Sequence, residues 1–564
     1  MFKRLLIVVM AALFPAAVFA DNCFINGSAV PTPHPTSDPA PSVFTYNGAE
    51  KCYFYCTQDI IGGPGTYPID TIHCYSTPDM YHWTDEGVSL AERNVVWANQ
   101  SHKLWAPHVY FLQGVYQLVV PETSTDGSFY NFTAHSTTPM GPYVPASVGH
   151  LPGSVGNVID PFCFIDSSAD SVRVWLSYRH QDGNSLGFVR MNDSGTKVTG
   201  NISNCIVPGL PSGYKEGSWM WKRNGIYFLV FALGPASGNE VIQYSTAHNA
   251  IGPWNNRGQL LPSGTDWTIH SGACNFKGQW YIFWHTTTFG GSIFGSERCS
   301  GINYVTYLND STLSVLHPLD NRGVGVPNAF KDSIQIDRGI CTNVNSTAWP
   351  YNTANADTKA AWYLSGIPAS GGSVQYDSVD FTAPGNGQLT LSVRVASSGA
   401  GAVAARVGSV TGTLLGTMNI TSTGSATTWA TQTGTLSGTT GTVIGHQNLF
   451  LVFTSNAANT ITINWVKFGY IPTATKSGAA EVKQSDLSYN RTGKNEFVVN
   501  VPDNTDGYKI KLFDLRGSEI ADAFSSRAAR NSLTVSLNAR TLASGSYVLA
   551  MKSRSKELRI PFTY

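Results

Sequence analysis

Five short aromatic strands recur at nearly even spacing along the first 300 residues, and that recurrence limits the fold more than any other feature. They fall at 51–55, 114–118, 172–178, 226–231 and 279–284. Their markers Tyr53, Tyr116, Trp175, Tyr227 and Tyr281 follow one another at 63, 59, 52 and 54 residues. A period of that length holds one small four-stranded antiparallel sheet, and such sheets repeated around an axis make a propeller. Residues 214–231 display the unit: a first strand with Glu216 at its mouth, a turn at Asn224-Gly225 and an aromatic second strand.

The residue 11 to 15 positions before each marker is Asp38, Trp105, Asp160, Glu216 and His270 in turn. In a propeller the innermost strands converge on the axis, so these positions are expected to face one another across a central pocket. Three carboxylates, an indole and an imidazole would then meet. Desolvating acids costs free energy that a merely structural protein has no reason to spend, so the constellation points to a reactive site.

Residues 1–20 carry Lys3 and Arg4, an apolar run from Leu5 to Phe19 and a small-residue exit at Ala20. This is the pattern of a secretory signal peptide, and the mature chain is expected outside the cytoplasm. No later apolar run approaches the roughly 18 residues that a membrane-spanning helix needs. Lys and Arg number 36 and Asp and Glu 36, so net charge gives no case for nucleic acid or anionic membranes as partners. The low charged fraction of 13% beside 12% aromatics and 55 glycines suits stacked sheets, tight turns and sugar binding through ring faces. Of the nine cysteines, Cys52, Cys56 and Cys74 are close enough in sequence for a local bridge. The odd count leaves at least one free, and the spacings match no zinc pattern. Cys163 and Cys274 fall in predicted inner strands, where a buried thiol is expected.

The expected class is all-β: a five-bladed propeller over 21–330, a β-sandwich over 332–470, a polar linker over 471–485 and a small β domain over 486–564. After Phe330 the composition turns to Gly, Ser, Thr and Ala with alternating strands such as 388–395 and 448–453, a sandwich pattern.

The motifs that carry the acids resemble those of glycoside hydrolase family 43. They are Ser37-Asp38-Pro39, Leu104-Trp105-Ala106-Pro107, Ile159-Asp160-Pro161-Phe162, Lys215-Glu216-Gly217, Ile269-His270-Ser271-Gly272 and Arg298-Cys299-Ser300, in the family's order. The resemblance implies hydrolysis of β-xylosidic or α-arabinofuranosidic bonds with inversion. It implies Asp38 as general base, Glu216 as general acid and Asp160 as the carboxylate that tunes the acid. It further implies Trp105 as a wall of the sugar pocket, Arg298 as an active-site arginine and His270 beside a hydrated calcium ion on the axis. His108 departs from the pattern, because the family often has an acid after Trp-Ala-Pro, and this leaves the outer pocket open.

Residues 373–376, 391–397, 428–431 and 463–466 together resemble carbohydrate-binding module family 6, which implies a loop-edge site where Tyr363 and Trp429 sandwich a sugar and Asn464 orients it. The module's usual tryptophan before Val374 is Ser373 here. The last 80 residues resemble C-terminal sorting or attachment modules of secreted polysaccharide degraders, with Lys552, Arg554, Lys556 and Arg559 giving a basic bias. The implied partner is plant cell-wall xylan or arabinoxylan, with the chain secreted or attached at a cell surface.

Elementary chemistry supports the same roles. Inversion needs one protonated and one ionised carboxyl held roughly 6.5–9.5 Å apart, which acids on different blades can satisfy and acids on one strand cannot. A like charge beside Glu216 would raise its pKa and keep its proton. The competing expectations are a non-catalytic propeller lectin that uses Trp105 without the acids, and an endo-arabinanase. Sialidase chemistry would need three arginines, where the inward positions offer Arg298. Fructan cleavage would need an Asn-Asp-Pro context that blade one lacks.

Overall fold

A computed structural model describes residues 35–472 apart from short loop segments, the longest being 287–297 and 348–362, together with strands within 488–563. The signal-peptide stretch and most of the 471–485 linker lie outside the described residues.

Five sheets follow one another along the first part of the chain. The first holds β1 (Ser37–Tyr46), β2 (Ala49–Asp59), β3 (Ile69–Thr77) and β4 (Thr84–Ala91). The second holds β5 (His108–Leu112), β6 (Val115–Thr123), β7 (Phe129–Ser136) and β8 (Val144–Pro145). The third has β9 (Val158–Ser168), β10 (Ser171–His180) and β11 (Ser185–Arg190). The fourth has β12 (Tyr214–Arg223), β13 (Ile226–Leu233), β14 (Val241–Ala247) and β15 (Asn255–Leu261), and the fifth β16 (Ser271–Phe276), β17 (Gln279–Thr286) and β18 (Cys299–Tyr304).

Every sheet is an antiparallel meander, and all five aromatic markers fall on its second strand. The first strands β1, β5, β9, β12 and β16 contact one another in that order, and β16 returns to β1. The ring therefore closes with five blades. Alternation within the strands explains the packing: on β2, Cys52, Phe54 and Cys56 point into one inter-blade core while Tyr53 and Tyr55 point into another.

The same alternation rules out a local bridge among Cys52, Cys56 and Cys74. Cys74 pairs across the sheet with Tyr55 and so lies on the opposite face from Cys52 and Cys56. Cys52 and Cys56 are four residues apart on one extended strand, roughly 13 Å, which is beyond disulfide reach. All three are free and buried, as are Cys163 and Cys274 on the inner strands.

The sandwich comprises β19 (Ile334–Gln335), β20 (Ile340–Thr342), β21 (Asn345–Thr347), β22 (Tyr363–Ser365), β23 (Gly372–Asp380), β24 (Gly387–Ser397), β25 (Gly401–Val407), β26 (Thr413–Ile420), β27 (Trp429–Thr435), β28 (His446–Ser455) and β29 (Ile461–Pro472). One sheet runs β21-β22-β29-β24-β27 with β19 also on β29, and the other β20-β23-β28-β25-β26. Inward residues such as Val374, Leu391, Val403, Leu451 and Ile463 fill the space between them. Where the chain leaves the propeller, His82 binds Asp79 through Nδ1 at 2.7 Å and Asp332 through Nε2 at 2.9 Å.

Residues 474–564 form a separate compact unit. It contains a four-stranded and a three-stranded antiparallel sheet, the latter pairing Lys509–Asp514 with Ser546–Lys552 and that strand with Glu557–Thr563.

Candidate active site

Asp38, Asp160 and Glu216 stand at the second or third position of β1, β9 and β12, and His270 directly precedes β16. They thus share one end of the propeller axis. Asp38 and Asp160 each precede a proline and adopt left-handed backbone, with φ of 49° and 51°. Such a conformation is disfavoured for a side chain with a Cβ and persists where surrounding structure enforces it, often at functional sites. The matching strain in two blades turns both carboxylates toward the axis from a strand that would otherwise alternate them.

Asp38 is enclosed. Its Oδ1 accepts from Arg298 at 3.0 Å, its Oδ2 accepts from the Thr57 hydroxyl at 2.7 Å, and its backbone N–H donates to His285 Nδ1 at 3.0 Å. His270 Nδ1 lies 3.7 Å from Oδ1. Burial alone would raise this carboxyl, but Arg298, His270, His285 and the Thr57 bond outweigh it and hold Asp38 well below the usual carboxylate range. Asp38 is ionised at any working pH.

Glu216 is placed oppositely. Its Oε2 accepts from Arg179 at 2.7 Å and its Oε1 from the Thr268 hydroxyl at 2.8 Å. Burial and the charge of Asp160 raise its pKa against the lowering effect of Arg179. Asp160 is itself pushed up to about 6, chiefly by burial and then by Asp38 against the pull of Arg179. Its Oδ2 accepts the Gly217 N–H at 3.2 Å, tying it to the residue after the acid. Gly217 has φ of 65°, and a Cβ there would meet His270 Cγ at 3.1 Å, so only glycine lets Glu216 and His270 approach this closely.

Arg298 faces inward: its Nε and Nη2 bind Asp59 at 3.1 and 2.8 Å, its Nη1 binds Asp38, and its guanidinium stacks over Tyr67. This arginine acts on the base, and its polar atoms are committed there. Trp105 sits on the rim of blade two with its Nε1 on Tyr67 O at 3.0 Å, its ring stacked on Phe129 and Lys103 over the ring.

His108 is not part of an outer pocket. It is buried on the axis beneath the acids, accepts the Cys163 N–H at Nδ1 and packs against Phe162 and Trp219 at 4.5 and 4.8 Å. Burial lowers it to about 3, so it is neutral where it lines the axial cavity on the side away from the acids.

Sequence reading missed Thr57, Asp59, Arg179, Glu240, Thr268 and His285. A signal existed for three of them. Thr57, Arg179 and His285 each lie four residues after a marker, where the second strand returns to the mouth it shares with the acids. Glu240 is buried, accepts the Ile269 N–H at 3.3 Å and is pushed up to about 8 by burial and by Glu216.

Calcium is held by several oxygen ligands. Beside His270 the nearest carboxylate is Asp38, already committed to Arg298 and Thr57, and among the described residues no group of three or more His, Cys, Asp or Glu converges as a cation site. The donor set does not fit a directly coordinated ion.

In the sandwich, Tyr363 and Trp429 come together with ring centroids 6.1 Å apart at 69°, in edge contact. Leu364 pairs with Ile463, which sets Tyr363 opposite Asn464 across β22 and β29. The three expected residues lie toward one end of the strands of a single sheet, but the two rings touch each other where the expectation had them facing across a gap.

Residues 33–313 match the description of glycosyl hydrolases family 43, and residues 349–470 that of carbohydrate binding module family 6. Residues 33–313 are a glycosyl hydrolases family 43 domain. Among relatives of this protein, a xylosidase/arabinosidase of Bacteroides ovatus is 24% identical over 294 residues, 43% of this chain and 84% of its own length. Xylosidase/arabinosidase 43A of Humicola insolens is 25% identical over 297 residues, 44% and 87% of the two chains. An arabinoxylan arabinofuranohydrolase of Bacillus subtilis is 24% identical over 438 residues, 65% and 79%. A solved Bacillus subtilis family 43 arabinoxylan arabinofuranohydrolase, in complex with cellotetraose, is 22% identical with a TM-score of 0.44 over 79% of this chain and 99% of its own. Members of the family are glycosidases, and this chain is one.

Proposed function

We propose that the chain is an inverting glycosidase that removes α-L-arabinofuranosyl or β-D-xylosyl groups from arabinoxylan or xylan. One observation carries the reading: across the axis Asp38, held low by Arg298, and Glu216, raised by burial and Asp160, sit on different blades in oppositely tuned surroundings. That pairing is what single displacement requires, since Glu216 gives its proton to the leaving oxygen while Asp38 takes one from the attacking water. Asp160 holds the proton on Glu216 through its like charge, and Arg298 keeps Asp38 ionised. Incubation with aryl xyloside, aryl arabinofuranoside and arabinoxylan tests this. Sugar release is expected, and binding without release would make the chain a lectin.

The family 6 module supports docking on polysaccharide, with Tyr363, Trp429 and Asn464 as its contact set. Export through residues 1–20 and surface attachment through residues 486–564 complete the proposal. N-terminal sequencing of secreted protein would test the first, and cell fractionation after deletion of the last 79 residues the second. Intact Met1 in the culture fluid, or unchanged fractionation, would count against them.

A further inference from the structure

A propeller must close on itself, and here it closes between the first blade and the fifth. The candidate base sits in that seam: Asp38 belongs to β1, while His270, His285 and Arg298 come from the fifth blade or its edges. Among the described residues the two sheets share no strand. A few polar bonds join them, such as Ser300 Oγ to Thr36 O at 2.6 Å, with apolar packing that includes Phe54 stacked on Phe283 at 5.3 Å. The backbones are tight at this point, since a Cβ on Gly272 would meet Pro39 O at 2.5 Å.

In the same seam Cys52 of β2 and Cys274 of β16 hold their sulfurs 3.8 Å apart, 222 residues distant in sequence. Both thiols are free and buried. Cys274 also lines a cavity of about 790 Å³, as do Ser42, Phe162, Cys163 and Trp219. These positions lie downstream of Asp38, Asp160, Glu216 and His270 on the same inner strands, so the cavity opens at the end of the axis away from the acids.

We propose that Cys52 and Cys274 are a covalent modification site, a dithiol that a small disulfide oxidant converts into a cystine stapling blade one to blade five. Cys274, reached through the cavity, attacks one sulfur of the oxidant RSSR as thiolate, forming a mixed disulfide and expelling RS⁻. Cys52 loses its proton and attacks Cys274 Sγ, forming the Cys52–Cys274 bond and expelling the second RS⁻. The two thiol protons end on the two leaving thiolates, so one disulfide is consumed, one is made and two RSH are released. The sulfurs must approach by less than about 2 Å to reach bonding distance. Burial raises the Cys52 thiol, so closure runs faster as pH rises. The staple would fix the strand that carries Asp38 against the blade that supplies its partners, and it does not depend on which glycoside is cleaved.

The test oxidises the folded full-length chain with oxidised glutathione at pH 8, blocks remaining thiols with iodoacetamide and maps peptides without reduction. The expected result is a Cys52–Cys274 linked peptide pair, and a Tm rise on the order of 5–10 °C that dithiothreitol reverses. Cys52→Ala treated alike should show no such rise. Alkylated Cys52 and Cys274, glutathione left on Cys274, Cys52 joined to Cys56 or Cys74, or an equal Tm rise in Cys52→Ala would each overturn the proposal. The peptide map of the wild type stands even if the variant folds poorly.

Discussion

Asp38 and Arg298 meet at 3.0 Å across the seam between the first and last blades, and Arg298 is held in turn by two bonds to Asp59. The base therefore depends on a residue 260 positions away, which makes ring closure a condition for chemistry. Asp38→Asn should lower kcat/KM by roughly 10²–10⁴-fold on both poor and activated substrates, since nothing else deprotonates the water. Kinetics on arabinoxylan and on an aryl glycoside would check this.

Glu216→Gln separates the acid from the base. Loss of the proton donor should cost about 10²–10⁴-fold where the leaving group is a sugar hydroxyl, and much less for an aryl glycoside whose phenolate departs unaided. The ratio of the two losses is the measurement, and equal losses would remove Glu216 from the donor role.

Activity against pH should respond to Asp160. Glu216 must be protonated to donate, so rate falls as pH rises through its raised pKa. Asp160 has a pKa of about 6, and its charge contributes to that rise. In Asp160→Asn the like charge is gone, and the basic limb of kcat/KM should move to lower pH. A limb that stays or moves upward would assign Asp160 another task.

The propeller was legible because five aromatic markers repeat at one phase, and the acids because they precede those markers at two offsets. Arg179 and His285 carried only the shared offset of four residues after a marker, which gains its meaning once the blades fix which end faces the mouth, and Asp59 carried no such offset. His108 shows the same limit: its motif departure said nothing of where the ring goes, and the ring packs against Phe162 and Trp219. The cysteines failed as a local bridge because proximity in sequence ignores the alternating faces of a strand.

Stability should carry the signature of a buried acid. Glu122 is fully enclosed, accepts the Thr123 N–H at 2.6 Å and is pushed up to about 8, first by burial. The folded chain keeps a proton there that the unfolded chain releases above its ordinary value of 4.5. Stability is then lost as pH rises from about 4.5 to 8. Glu122→Gln should flatten the fall of Tm across that window, and an unchanged slope would contradict the assignment.

Trp429→Ala in the sandwich should weaken retention on insoluble xylan, by about 1 kcal/mol or more of stacking. Turnover of a small aryl glycoside should not change. Pull-down isotherms beside kinetics on the soluble substrate would show both.

The most direct test follows the anomeric configuration of the first sugar released, by proton NMR in the opening minutes of hydrolysis. The account, with Asp38 activating water opposite a departing group protonated by Glu216, predicts inversion. Retention would mean that a carboxylate attacks the sugar itself, and would contradict the roles assigned to Asp38 and Glu216.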